Sequence, residues 1–141
     1  MIVGVDPGRY GGVAMLWNDN AYVYPMPATD GHTYDIEAIS AMLSRLVPDR
    51  LVIERVTRPA SLVRCMAIFE GLGVALGYRV ETVRPQEWKR HFGLVGGDKG
   101  QSMKLARQRF PHLAHEFKRV TRDDGKAEAL LLALFAKETG L

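Results

Sequence analysis

The sequence predicts an α/β protein built on a mixed five-stranded sheet with helices on its faces. Three short apolar strands separated by close turns open the chain, at Ile2–Asp6, Gly12–Trp17 and residues 21–24, which favours an antiparallel meander. Two further apolar strands, at residues 51–53 and 78–83, alternate with helical patterns. That alternation favours parallel strands added to the meander, with helices covering the sheet.

Turn and helix signals delimit each element. Asp-Pro-Gly follows the first strand, Asn-Asp-Asn follows the second, and Pro25 closes the third. A helix is indicated by apolar residues at helical spacing from Ile36 to Leu46, and Pro48 ends it. The remaining helices are predicted at residues 60–76, 85–92, 101–110 and 126–137, with a glycine-rich loop at 93–100 and a polar stretch at 121–125.

Length and composition indicate one domain, spanning residues 1–141, of ordinary globular character, with 47% hydrophobic and 25% charged residues. Cys65 is the one cysteine, and four scattered histidines show no ligand spacing, so neither a disulfide nor a zinc site is expected. The N-terminal segment does not resemble a signal peptide. Because no apolar stretch approaches the ~20 residues of a membrane span, we expect a cytoplasmic location and no membrane partner.

Positive charge is concentrated in one segment. Between Arg84 and Arg122 there are ten Lys or Arg and three acids, a net charge of +7, whereas the whole chain carries +3. A basic segment beside an acidic remainder is typical of an enzyme that processes a polyanion, although a solvated face of surface helices would give the same pattern.

Two acids end apolar strands. Asp6 ends the first strand and Glu54 ends the fourth, and burying a carboxylate without a partner is costly. Each has an ordinary alternative explanation: Asp6 precedes a Pro-Gly turn, and Glu54 is followed by Arg55.

Two further acids precede or begin the final apolar helix. Asp124 and Glu128 are four residues apart, so they share one face if that helix begins by about residue 124. Asp123 competes with Asp124, but it lies five residues before Glu128 and is rotated away from that face, so we prefer Asp124. Acids in a solvated first turn would also be ordinary, because they favour the positive end of the helix dipole.

Four carboxylates from two strands and a helix suit a hard cation such as Mg²⁺, for which Mn²⁺ can substitute. Two ions about 4 Å apart could activate a water molecule and stabilise the leaving oxygen in phosphodiester hydrolysis. The predicted catalytic and metal-binding residues are therefore Asp6, Glu54, Asp124 and Glu128.

Taken together, these segments resemble the RuvC-like Holliday junction resolvases of the RNase H-like superfamily. The resemblance rests on IVGVDPG at residues 2–8, LVIE at 51–54 and AEAL at 127–130, with VRPQEWK at 83–89 and DKGQS at 98–102 between them. It implies an RNase H-like fold and metal-dependent cleavage of four-way DNA junctions by a homodimer that nicks two strands. It also implies that Lys89 and Lys99 contact DNA. Our full set of predicted DNA-binding residues is Lys89, Lys99, Arg55, Arg84 and Lys104.

The sequence departs from the bacterial pattern of this family in two places. Asp124 and Glu128 are four residues apart rather than three, which is more similar to the phage, viral and organellar branches. Thr57 stands where bacterial members carry an aromatic residue that stacks at the opened junction.

Two other functions remain open from the sequence. One is an actin-like or sugar-kinase-like nucleotide-binding domain, in which Gly8, Gly11 and Gly12 would hold phosphate. The other is a non-catalytic DNA-binding protein of RNase H-like fold. For residues 60–76, we expect a helix whose apolar residues and glycines form the homodimer interface.

Overall fold

The predicted mixed sheet is present in a computed structural model of the chain, which describes residues 1–29, 33–98 and 100–141. The strand order is β3-β2-β1-β4-β5. Strands β1, β2 and β3 pair antiparallel, whereas β4 is parallel to β1, and β5 is parallel to β4. The strands are β1 (Ile2–Asp6), β2 (Gly12–Trp17), β3 (Asn20–Pro25), β4 (Arg50–Glu54) and β5 (Arg79–Val83).

Five α-helices cover the sheet in the part of the chain that the structure describes. Pro85 begins α3, where its missing N–H costs nothing, and Asp35 caps α1 by accepting from the backbone N–H of Ala38 at 3.0 Å. The helices are α1 (Ile36–Leu46), α2 (Ala60–Ala75), α3 (Pro85–His91), α4 (Gln101–Arg109) and α5 (Val120–Thr139).

The sheet separates two apolar clusters. On one side, Leu130 and Phe117 pack with residues of α3 and α4 against the inward side chains of the strands. On the other side, Ile39 of α1 and Phe69 of α2 pack against alternate residues of the same strands. Alternation along each strand is what gives a sheet two buried faces in this three-layer arrangement.

Small residues allow α5 to lie unusually close to β1 and β2. A Cβ atom at Gly4 would lie 2.1 Å from the Ala129 carbonyl oxygen, and one at Gly12 would lie 2.7 Å from the Lys126 Cα. A Cβ at Gly125 would lie 2.3 Å from the carbonyl oxygen of Tyr10. These contacts fix the distance between the last helix and the first strand, and therefore between the acids that they carry.

The structure corrects the predicted start of the last helix. The polar stretch 121–125 belongs to α5, which begins at Val120 rather than at Lys126. Asp123 explains the earlier start, because its carboxylate accepts hydrogen bonds from the backbone N–H groups of Lys118 and Arg119. A 3₁₀ helix at Pro111–Glu116 was also not predicted.

Within the described residues, none of the helices is long and apolar enough to cross a membrane.

Candidate metal centre

Asp6 and Glu54 lie side by side at the carboxyl ends of two neighbouring strands in the middle of the sheet. Their strands β1 and β4 are parallel neighbours, and Val5 pairs with Ile53, so the acid that follows each residue emerges at the same end. The carboxyl ends of parallel strands are where such folds place their functional side chains.

Helix α5 brings a third carboxylate to these strand ends. Glu128 joins Asp6 and Glu54 in a group whose candidate ligand atoms all lie within 4.8 Å of one another. The sequence predicted that Asp124 and Glu128 share one face of the helix if it begins by about residue 124. Helix α5 begins at Val120, so it includes both acids and places them one turn apart.

Burial and mutual repulsion raise the pKa of each member of this group. Burial raises the pKa of Asp6 well above its ordinary value, and the charges of Glu54, Glu128 and Asp124 raise it further. Burial, followed by the charge of Glu128, raises the pKa of Glu54 to about 7. Burial also raises the pKa of Glu128, although the nearby Lys89 acts in the opposite direction. The cluster therefore has more negative charge than its protein surroundings balance.

Neutral and cationic donors hold the two glutamates. The indole Nε1 of Trp88 donates to Oε2 of Glu54 at 2.7 Å, and both side chains are buried. Ser102 Oγ donates to Oε1 of Glu128 at 3.3 Å, and Lys89 Nζ lies 3.7 Å from the same oxygen. The sequence did not single out Trp88 or Ser102, although both fall within the segments that resemble the resolvase family.

The two adjacent acids of α5 have different surroundings. Asp123 pairs with Lys126 at 3.2 Å in addition to its two backbone hydrogen bonds. Burial alone would raise the pKa of Asp123, but these hydrogen bonds and Lys126 lower it. Asp124 accepts from the backbone N–H of Gly125 at 2.9 Å and, with Asp6, lines a cavity of about 830 Å³. Among the described residues, the group whose ligand atoms lie within 4.8 Å of one another contains Asp6, Glu54 and Glu128 but not Asp124. Asp124 as a fourth ligand stays a prediction.

The predicted DNA-binding residues are not all at the cluster. Lys89 lies beside it, whereas Arg84 and Lys104 are exposed. Arg55 donates a hydrogen bond from Nη2 to Thr82 Oγ1 at 3.2 Å. The sequence had suggested an ion pair between Arg55 and Glu54 instead. Lys99 lies outside the described residues.

The donor set fits a hard divalent cation. The cluster offers carboxylate oxygens from three elements, and hard cations such as Mg²⁺ prefer oxygen ligands. A cation would also relieve the repulsion that raises the three pKa values. The residues that would hold it are Asp6, Glu54 and Glu128, joined by Asp124.

Comparisons with known proteins agree with this architecture. No protein-family model and no curated protein matches the chain, but solved structures do. The fowlpox virus resolvase in complex with its substrate Holliday junction DNA is 17% identical, with a TM-score of 0.69 and 99% of each chain covered. Thermus thermophilus RuvC in complex with a Holliday junction substrate is 19% identical, with a TM-score of 0.68, covering 99% of this chain and 93% of that one. Another structure of Thermus thermophilus RuvC has a TM-score of 0.65 at 16% identity, with 99% and 96% covered.

The chain therefore has the RNase H-like fold of RuvC and of the fowlpox virus Holliday junction resolvase. The fold that the resemblance to RuvC-like resolvases implied is confirmed over nearly the whole chain.

Proposed function

We propose that this protein is a metal-dependent endodeoxyribonuclease that resolves Holliday junctions and related branched DNA. One observation supports this more than any other: three carboxylates from β1, β4 and α5 meet within 4.8 Å on a fold shared with resolvases. The fowlpox virus and Thermus thermophilus neighbours were solved with Holliday junction DNA, which supports the choice of a branched substrate.

In this proposal, Asp6, Glu54, Asp124 and Glu128 hold two Mg²⁺ ions where the carboxyl ends of β1 and β4 meet α5. Bound Mg²⁺ would supply an activated water and stabilise the leaving oxygen of the phosphodiester. Lys89, beside Glu128, would contact the phosphate at the cut. Lys99 would also approach the phosphates near the cut. The exposed Arg55, Arg84 and Lys104 would contact further phosphates, and such contacts supply affinity that falls with salt.

The nucleotide-binding alternative is less well supported. A Cβ atom at Gly11 would lie 2.0 Å from the Asp6 carbonyl oxygen, and Gly12 is in contact with the Lys126 backbone. The fold therefore requires both glycines for close packing, whether or not phosphate binds near them.

Cleavage of a synthetic four-way junction tests the proposed function. The wild-type protein should nick opposed strands in Mg²⁺ or Mn²⁺ and should be inactive in EDTA. Glu54→Gln should abolish cleavage and leave junction binding intact, because the change removes a charge from the cluster and no DNA contact.

A linear duplex of the same sequence is the control substrate. Near wild-type cleavage by Glu54→Gln would place the active site elsewhere. Junction binding with no cleavage under any metal would instead identify a non-catalytic DNA-binding protein.

A further inference from the structure

Trp88 connects the carboxylate cluster to the apolar core. Register places Glu54 opposite Val83 at the ends of β4 and β5, and Pro85 then begins α3. Trp88 follows within the first turn of α3, so the helix carries it over the end of β4. Its side chain is completely buried in the cluster that contains Phe117 and Leu130.

The indole makes a directional contact with one carboxylate oxygen. Trp88 Nε1 donates to Glu54 Oε2 at 2.7 Å, which is a short distance for an N–H···O bond. Because the surrounding core fixes the ring, the N–H has one direction available, and the carboxylate must meet it there. Without this bond, repulsion from Asp6 and Glu128 would favour rotation of Glu54 away from them.

The chemistry of this donor matters as much as its position. An indole N–H is neutral and can only donate, so it orients a carboxylate while leaving its full negative charge for a cation. A lysine or arginine in the same place would compete with the cation for that charge. Lys89, whose Nζ lies 5.2 Å from the centroid of the Trp88 ring, is directed to Glu128 instead.

We propose that Trp88 is a positioning residue, whose indole N–H holds Glu54 in the orientation that binds the metal ion without neutralising it. This inference rests on the proposed function, because it assumes that the carboxylate cluster is a metal site. It assigns to Trp88 a role in metal affinity that is separate from its contribution to core packing.

The two tryptophans of the chain provide a matched pair of variants. Trp17 ends β2 at the opposite end of the sheet from Asp6 and is 57% exposed. In calorimetric titration with Mn²⁺, Trp17→Phe should bind as the wild type does. Trp88→Phe keeps an aromatic ring in the core but loses the N–H donor. Its Mn²⁺ dissociation constant should rise by about 10-fold to 100-fold, which is the usual effect of removing a group that hydrogen-bonds to a metal ligand.

The fluorescence of Trp88 gives a second measurement that does not depend on changing it. In the Trp17→Phe protein, Trp88 is the only tryptophan, and paramagnetic Mn²⁺ bound next to Glu54 should quench its emission. The midpoint of quenching should match the calorimetric dissociation constant. Adding Glu54→Gln to this protein should remove the response.

Each outcome decides a different point. A lower melting temperature for Trp88→Phe with unchanged Mn²⁺ affinity would reduce Trp88 to a packing role and overturn the inference, as would emission unchanged at saturating Mn²⁺. If the wild type binds Mn²⁺ through Glu54 but cuts no branched DNA, the proposed function fails and the role of Trp88 stands. If the wild type binds no Mn²⁺, both are wrong.

Discussion

Adjacent residues Asp123 and Asp124 offer the most direct comparison at the scale of single residues. Asp123 satisfies backbone N–H groups before α5 and pairs with Lys126, whereas Asp124 lines the cavity with Asp6. We expect Asp124→Asn to slow junction cleavage by about tenfold or more. Asp123→Asn should instead cost about 1 kcal/mol of unfolding free energy, the scale of a weakened helix cap, at a nearly normal cleavage rate.

Single-turnover cleavage and urea unfolding of the two variants measure these effects. Each variant serves as the control for the other, since both remove one charge from the same turn. Slower cleavage by Asp123→Asn than by Asp124→Asn would move the fourth ligand by one residue.

The raised pKa of Glu54 makes the stability of the metal-free protein depend on pH. In the unfolded chain Glu54 titrates near its ordinary value of 4.5, and in the folded protein it titrates at about 7. Between these values the folded state holds the extra proton, so stability is fully present below 4.5 and is lost as the pH rises through 7. The loss should be on the order of 3 kcal/mol, and Asp6 and Glu128 act in the same direction.

Urea unfolding in EDTA at several pH values between 4.5 and 8 tests this dependence. Glu54→Gln should flatten the curve, and Mg²⁺ should restore stability mainly at the alkaline end, because metal binding needs the ionised carboxylates. Stability that rises with pH across this window in the metal-free wild type would contradict the environment described for Glu54.

The acids of the cluster could be predicted from the sequence, because a charged residue at the end of an apolar strand or beside an apolar helix stands out from its neighbours. Asp6, Glu54 and Glu128 all have this contrast. Trp88 does not, since a tryptophan in a short amphipathic helix is ordinary, and its bond to Glu54 depends on how α3 folds back over β4. Helical spacing to Glu128 already favoured Asp124 over Asp123 in the sequence, whereas the backbone hydrogen bonds of Asp123 could be seen only in the structure.

At the scale of elements, strands β1 and β2 were predicted with their observed ends because a strong turn signal follows each. The start of α5 was missed because polar residues and Gly125 read as a loop. Glycine is required at position 125 for close packing and not for a turn, because the Tyr10 carbonyl oxygen lies where a Cβ atom would be. Close packing between elements distant in sequence leaves no local pattern, so only the assembled structure could reveal it.

The close approach of α5 to the sheet can be tested with two glycines. A Cβ atom at Gly4 would meet the backbone of Ala129 and Ala133, at 2.1 and 2.9 Å, so Gly4→Ala should destabilise the protein by about 3 kcal/mol or more. It should also weaken Mn²⁺ binding, because moving α5 separates Glu128 from Asp6.

Gly71→Ala is the matched control. Gly71 is exposed within α2, and a Cβ there would meet no atom of its own chain within 4 Å. Because Gly71 also lies on the proposed dimer face, both variants are compared in protein dilute enough to be monomeric, where Gly71→Ala should stabilise the helix by about 0.5–1 kcal/mol. Equal effects of the two substitutions, measured by urea unfolding, would show that Gly4 does not set the distance between α5 and the sheet.

At the scale of the whole molecule, we expect a homodimer with paired active sites. A four-way junction has two equivalent strands to cut, and a two-fold axis would place one carboxylate cluster on each. The outer face of α2 is our proposed interface, and it includes Ala67, Gly71 and the 68% exposed Val74. Gly73 does not belong to this face, because its Cβ would meet Leu51 and Val80 of the sheet.

Val74→Glu should therefore shift the protein to monomers in sedimentation and convert paired nicks into single ones. Val47→Glu, at the 63% exposed end of α1, is the control and should change neither. Binding of one protomer per junction, with paired nicks still produced, would rule out the dimer.

The position of Glu128 on α5 also determines when the proposed nuclease becomes active. Asp6 belongs to the first strand, and Glu128 to a helix that follows all five strands and packs on the first four. During synthesis the early strands can pair before α5 has left the ribosome, but the three carboxylates cannot meet until that helix has packed onto them. A partly synthesised chain would therefore lack the complete carboxylate cluster and, under the proposed function, would not cleave DNA.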